Sequence, residues 1–292
     1  ARHDGQSRVL PVDSAEVVPG RQRLRGHVQE LAGRIGPRNL THLPNLREAE
    51  RYLQGELEGM GHRVRRQSFE VQGTTVSNLV VEVPGTSGEI VVVGAHYDSC
   101  FDAPGADDNA SGVAVLLEMA RALRQDAPVH TLRLELYVNE EPPWFQTEHI
   151  GSLVAARASA ASGDVVRGMI ALDAVGFYSE EPGSQAYPAP FSLLYPSTGN
   201  FVAFVGDPSS GGLTRRAVGV FREHATLPSE GAVVPSGVPG VGWSDHWSWW
   251  QVGVPAVMVT DTAPNRNPHY HQATDTPDRV DTDRLAKGGV AR

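Results

Sequence analysis

The chain has a single cysteine, Cys100, among its 292 residues. One cysteine excludes an intrachain disulfide framework and a structural zinc site built from cysteines. Long apolar runs are missing too: no stretch reaches the ~18 residues that a membrane-spanning helix needs. Positive charge is in deficit, with 25 Lys and Arg against 34 Asp and Glu and a formal net charge of -9. That balance weighs against a nucleic-acid or anionic-membrane partner, which would call for a basic surface. No internal repeat and no low-complexity linker interrupts the chain. What is present is 40% hydrophobic and 20% charged, the mixture of a folded globular protein. The first residue is Ala1 and not Met, and the expectation is an exported chain whose leader has been removed.

Periodicity organises the rest. Residues 1–19 read as a polar arm, and 20–292 as one domain. Leu24, Val28, Leu31 and Ile35 form one apolar stripe, so the pattern predicts a helix over 20–35. A second helix is expected over 46–60, closed by Gly61. Residues 64–71 alternate polar and apolar as an edge strand does, and 77–83 make a second strand. The unbroken run Ile90 to Val93 suits a central strand buried on both faces. A strong helix follows over 110–124. Strands are then expected at 130–141, 168–177, 201–207 and 255–261, with a helix over 213–224. Strands alternating with helices predict a single three-layer α/β/α domain with a mixed, mostly parallel central sheet. The stretches 179–199 and 226–242, rich in Pro, Gly and Ser, read as insert-like loops.

Acids and histidines gather at the ends of the strands, where ligands sit in open α/β sheets. They are His96 and Asp98, Asp107 and Asp108, Glu140 and Glu141, Asp173, and His269 and His271. Each alone has a plainer explanation: an Asp before a helix is usually a cap, and a lone His a hydrogen-bonded residue. Together, carboxylates and imidazoles suit zinc, or less selectively manganese or cobalt. The set exceeds what one catalytic zinc needs, so two metals sharing a carboxylate is the economical reading.

The motifs GAHYDS (94–99), PGADDNASG (104–112), NEE (139–141), ALDAVG (171–176) and YHQATDT (270–276) occur in one order. In that order they resemble those of the co-catalytic two-zinc aminopeptidases, the clan MH metallopeptidases that include bacterial leucyl aminopeptidases. The likeness runs from about Gly20 to Asp281 and takes in IGPRN (35–39). It implies a zinc-exopeptidase fold and two Zn2+ per chain. It further implies that Asp107 bridges the metals, that His96 and Asp173 complete one site, and that Glu141 and His271 complete the other. Asp98 matches the acid that orients His96, and Glu140 the general base. Tyr270 matches a tyrosine that steadies the substrate carbonyl, and Asp107-Asp108 a pair often joined by a cis peptide. The implied activity is hydrolysis of the N-terminal bond of a peptide or small N-terminal substrate.

Some segments depart from that pattern. The loop after the paired Glu is long, EEPPWFQTEHIGS (140–152), and Trp144 and Phe145 are candidates to wall the pocket. Four of the five Trp fall in GWSDHWSWW (242–250), which reads either as a core helix or as a wall of the substrate pocket. Cys100 lies outside the ligand pattern and reads as a small packing residue. HYDS, the aromatic loop and SDHW (244–247) also echo the glutaminyl cyclases. These use a single zinc, here implied on Asp107, Glu141 and His271, to close an N-terminal Gln. A carboxypeptidase would want a basic cluster, for which the loops offer Arg266 and Arg279. A binding domain that had abandoned catalysis would have lost ligands, and none is lost.

Overall fold

The computed structural model describes residues 17–124, 127–189 and 191–289. Of the expected arm, residues 1–16 lie outside the described residues, and Val17 already opens the first helix. In chain order the helices are α1 (Val17–Val28), α2 (Leu43–Gly59), α3 (Gly112–Leu123), α4 (Gly151–Ser162), α5 (Gly211–His224), α6 (His246–Trp250) and α7 (Thr282–Gly289). The strands are β1 (Arg65–Val71), β2 (Thr74–Val83), β3 (Glu89–His96), β4 (Thr131–Tyr137), β5 (Val165–Leu172), β6 (Val202–Gly206), β7 (Ser229–Val233) and β8 (Ala256–Thr260). They form one eight-stranded sheet in the order β1-β2-β4-β3-β5-β8-β6-β7. Pairing is parallel for β3 with β4, β3 with β5, β5 with β8 and β6 with β7. It is antiparallel for β1 with β2, β2 with β4 and β6 with β8. The expected mixed, mostly parallel α/β sheet is what forms.

β3 sits in the middle because both its faces are apolar. Val93 and Ala95 join the core that also holds Leu31, Leu53, Leu116 and Leu117 of the helices on one side. Ile90 and Val92 join Ala155, Ala156 and Trp249 on the other. Alternate residues of a strand point to opposite faces, so the run must be covered twice. Burying each of those leucines stabilises the fold by roughly 1.5–3 kcal/mol.

Three local readings need correction. The helix expected over 20–35 starts at Val17 and widens into a π-helical turn at Gln29–Ile35. The loop expected over 226–242 contains β7, which pairs in parallel with β6. The helix expected from residue 110 starts at Gly112, after an irregular turn at Ala106–Ser111 in which Asp108 and Asn109 leave helical geometry. Among the described residues no helix is long and apolar enough to cross a membrane.

β3, β4, β5 and β8 run the same way, so their carboxyl ends open on one edge of the sheet. β3 ends in His96, and Asp173 follows β5 directly. That shared edge delivers acids and imidazoles from distant parts of the sequence to one place.

Candidate active site

His96 is fully buried at the end of β3. Its Nε2 lies 3.2 Å from Asp108 Oδ1, 3.5 Å from Asp173 Oδ1 and 3.8 Å from Glu140 Oε2. On the other side of the ring, Nδ1 faces Asp98 Oδ1 at 3.5 Å. The Asp98 carboxylate also accepts the backbone N–H groups of Glu140 at 3.2 Å and Glu141 at 3.1 Å. One acid thereby ties the end of β3 to the pair of glutamates beyond β4. His271 Nε2 lies 3.1 Å from Asp108 Oδ2 and 3.1 Å from Glu141 Oε2. Tyr270 stacks on the His271 ring at 3.8 Å between centroids.

The acid between the two imidazoles is Asp108, with one oxygen toward each ring. This corrects the expectation for Asp107. The Asp107 carboxylate is committed elsewhere, accepting from the Gly176 backbone N–H at 2.8 Å and from Asn267 Nδ2 at 2.7 Å. The register differs by one residue because the turn is irregular: Asp108 has φ -107° and ψ 89°. The cis peptide joins Asp108 to Asn109 rather than Asp107 to Asp108. The other expected residues, His96, Asp98, Glu140, Glu141, Asp173, Tyr270 and His271, meet at this one site. His269 does not: its Nδ1 pairs with Thr274 Oγ1 at 2.9 Å.

The site fits a cation. Five carboxylates converge on two imidazoles, leaving net negative charge even if both rings are protonated. Both nitrogens of His96, the Nε2 of His271 and Oε1 of Glu141 are buried without a hydrogen-bond partner. Unpaired buried polar atoms are costly, and a metal is one way to satisfy them. His96, Asp108 and Asp173 offer ligand atoms within 4.8 Å of one another, as do His96, Glu140 and Glu141, and Cys100, Glu141 and His271.

Electrostatics reflect the crowding. Burial pushes the Glu140 carboxyl well above the ordinary range, reinforced by the charges of Asp173 and Glu141 and opposed by His96. Glu141 is raised in the same way by burial and by Asp108. Burial also acts on Asp108, but the neighbouring imidazoles of His271 and His96 outweigh it and hold that carboxyl low. Burial works against a charged His271, yet Asp108 lifts it to about 10. A bound cation inverts this pattern by favouring ionised carboxylates and neutral imidazoles.

The supporting frame was hidden in the sequence. Arg38, within IGPRN, is fully buried. Its guanidinium donates to the carbonyls of Tyr97 at 2.7 Å, Gly105 at 2.8 Å and Pro104. It pins the loop after β3 to the turn that carries Asp108. Gly105 permits this closeness, since its φ is +62° and a Cβ there would meet the Asp108 carbonyl oxygen at 2.4 Å. Asp275 accepts the backbone N–H groups of Asp107 at 2.9 Å and Asp108 at 3.2 Å. Asn139, Ala174 and His271, which lie beside or among the site acids, all have positive φ. Strained backbone of this kind clusters at functional sites.

An apolar cavity of about 130 Å³ adjoins the site, with Asp173 and Tyr270 in its lining. Tyr187, Phe191, Tyr195, Phe201, Trp243 and Met258 supply much of its wall. The 179–199 segment thus gives the cavity its aromatic side. The tryptophan cluster divides: Trp249 is buried core, while Trp243 faces the cavity. Trp144 and Phe145 are not among the cavity's lining residues, and Trp144 packs edge-on to His149. Arg266 is buried, donating to Gln185 Oε1 and the Phe201 carbonyl at 2.7 Å each, and Arg279 pairs with Asp278. Neither is part of a basic cluster for a C-terminal carboxylate.

Comparison with known proteins identifies the family. The model of peptidase family M28 matches residues 78–290. The "Uncharacterized protein YfbL" of Escherichia coli (strain K12) is 37% identical over 275 residues, covering 91% of this chain and 84% of that protein. A "Probable leucine aminopeptidase" of Trichophyton verrucosum is 29% identical over 222 residues, or 71% of this chain. The aligned part is 53% of that relative, so the chain spans about half its length. The crystal structure of Fimbriiglobus ruber glutaminyl cyclase superposes with a TM-score of 0.68 at 21% identity, covering 99% of this chain and 96% of the other. A zinc aminopeptidase from Bacillus subtilis gives 0.68 at 14% identity, covering 92% of each chain. At such identities the structural likeness speaks for the fold.

Proposed function

The chain belongs to peptidase family M28, and from that membership and the site geometry we propose that it is a zinc-dependent aminopeptidase. The observation that carries this is Asp108, whose two oxygens reach one imidazole each. Two zinc ions would be held by His96, Asp108 and Asp173 on one side and by Asp108, Glu141 and His271 on the other. Bound zinc supplies Lewis acidity that polarises a scissile carbonyl and lowers the pKa of water.

The chain's own groups do the rest. Glu140, buried near His96 and Asp173, takes a proton from the attacking water and delivers it to the leaving amine nitrogen. A carboxylate with raised proton affinity suits that shuttle. Asp98 holds the backbone of Glu140 and Glu141, so base and ligand keep their separate directions. Tyr270 donates its hydroxyl to the carbonyl oxygen. The aromatic cavity takes the side chain of the N-terminal residue, favouring apolar residues such as Leu.

A second reading, a single-zinc glutaminyl cyclase, has one observation in its favour. Asp245 is buried with neither carboxylate oxygen hydrogen-bonded, and burial with the nearby charges of Asp173 and Asp98 raises it to about 7. A third acid beside Glu140 and Asp173 suits a proton relay more than a single-base hydrolysis. Assays with Leu-, Ala- and Gln-p-nitroanilides, with cyclisation of an N-terminal Gln followed in parallel, separate the two. Release of nitroaniline from the Leu substrate, abolished by a chelator and restored by zinc, is expected. Cyclisation without hydrolysis would favour the second reading, and neither activity would contradict both.

A further inference from the structure

We propose that Cys100 is a metal ligand, supplying a thiolate to the zinc held by Glu141 and His271. This rests on the metal reading above. Cys100 is 1% exposed, and its Sγ lies within 4.8 Å of ligand atoms of both Glu141 and His271. Those partners have buried donor atoms left free for a cation beside the sulfur. Glu141 is 2% exposed with Oε1 unpartnered, and His271 Nε2 is buried and unpartnered. Asp108 Oδ2 is 3.1 Å from that same Nε2. Sulfur, nitrogen and two carboxylates make a four-donor set of the kind zinc takes.

The loop that carries Cys100 is held at its backbone. Ser99 N–H donates to the Arg38 carbonyl at 3.0 Å, and Asn39 Nδ2 donates to the carbonyls of Ser99 and Phe101 at 2.8 and 2.7 Å. Ala103 N–H donates to the Cys100 carbonyl at 2.8 Å. Phe101 sits at a positive φ of 42°. This framework presents the sulfur with little freedom to move away.

Two consequences follow. With Cys100, Glu141, His271 and Asp108 all supplied by the protein, this position is closed, whereas His96, Asp108 and Asp173 leave a fourth place open at the other. Closed four-ligand sites are structural in character and open three-ligand sites catalytic. The thiolate also biases the closed position toward zinc or cobalt over manganese, because sulfur is the softer donor. On binding, the S–H bond breaks, the sulfur keeps the electron pair for the metal and the proton leaves to solvent.

The test loads the full chain with cobalt(II) after chelation. A thiolate ligand gives a sulfur-to-cobalt charge-transfer band in the near ultraviolet, besides the visible bands of the ion itself. We expect that band in the wild type and its loss in Cys100→Ser and Cys100→Ala. Zinc affinity at one site should fall at least ~10-fold in both variants, the least expected when a group that supports a metal is removed. The wild-type spectrum keeps the test decisive even if a variant folds poorly. Full cobalt loading with visible bands but no near-ultraviolet band would overturn the assignment and leave the metal reading intact. A chain that binds no cobalt would overturn both.

Discussion

Glu140 and Glu141 are neighbours to which we assign different work, and the difference is open to measurement. Glu140→Gln keeps shape and hydrogen-bonding capacity but removes the base. General-base catalysis is worth roughly 10²–10⁴-fold, so kcat should fall by that order while bound zinc stays at the wild-type level. Glu141→Gln should instead lower zinc content, because an amide is a poorer ligand than a carboxylate. Zinc analysis and kcat on the two variants together check both; metal loss in Glu140→Gln alone would mean that the roles are exchanged. His96, the paired glutamates and Asp173 were legible in the sequence because each ends or closely follows a strand, and His271 because of the motif around it. The acid between the two imidazoles was legible only to within one residue. In ADDN, Asp107 and Asp108 look alike, and the choice lies in turn dihedrals that no periodicity encodes. Cys100 gave no signal, since one cysteine has no spacing to read.

The loops that carry the site depend on a few buried polar ties. Arg38→Met would leave the carbonyls of Tyr97, Pro104 and Gly105 without their donor. Charged hydrogen bonds of this type contribute about 1.5–3 kcal/mol each. The variant should therefore lose at least about 3 kcal/mol in urea unfolding and bind zinc more weakly. A variant of wild-type stability would mean that the guanidinium is not the tie. Asp275→Asn tests the other anchor. It keeps one acceptor for the Asp107 and Asp108 N–H groups but puts an amide where the second oxygen stood. Zinc affinity should drop although residue 275 touches no proposed ligand atom through its side chain. The helices and central strands were legible because their apolar periods are strong. β7 was not: Ser229–Val233 is a five-residue strand whose partner, β6, lies more than twenty residues earlier. Arg38 was visible as a letter within a motif, but its burial arises only when the loop after β3 folds over it.

The molecule as a whole should lose stability on acidification through a group that is not among the proposed metal ligands. His246 is fully buried, with Nε2–H donating to the Val241 carbonyl at 2.7 Å, and burial lowers its pKa to about 4. In the unfolded chain it titrates near 6.5. Between those values the unfolded state binds the proton and the folded state does not, so stability falls as pH drops from about 6.5 toward 4. The contribution at stake is about 3 kcal/mol. Urea unfolding of metal-free protein at pH 7 and pH 4.5 should show a smaller pH dependence in His246→Gln than in the wild type. An equal dependence would mean that the ring protonates inside the fold. Bound zinc should add stability of its own by favouring the folded state. Asp108 lies between both halves of the site, with one oxygen toward each imidazole. The deciding measurement is zinc per chain, after chelation and reloading, in Asp108→Asn beside Asp107→Asn. Two zinc ions are expected in the wild type and in Asp107→Asn, and a loss at both positions in Asp108→Asn. Full loading of Asp108→Asn, with loss in Asp107→Asn, would contradict the site as described.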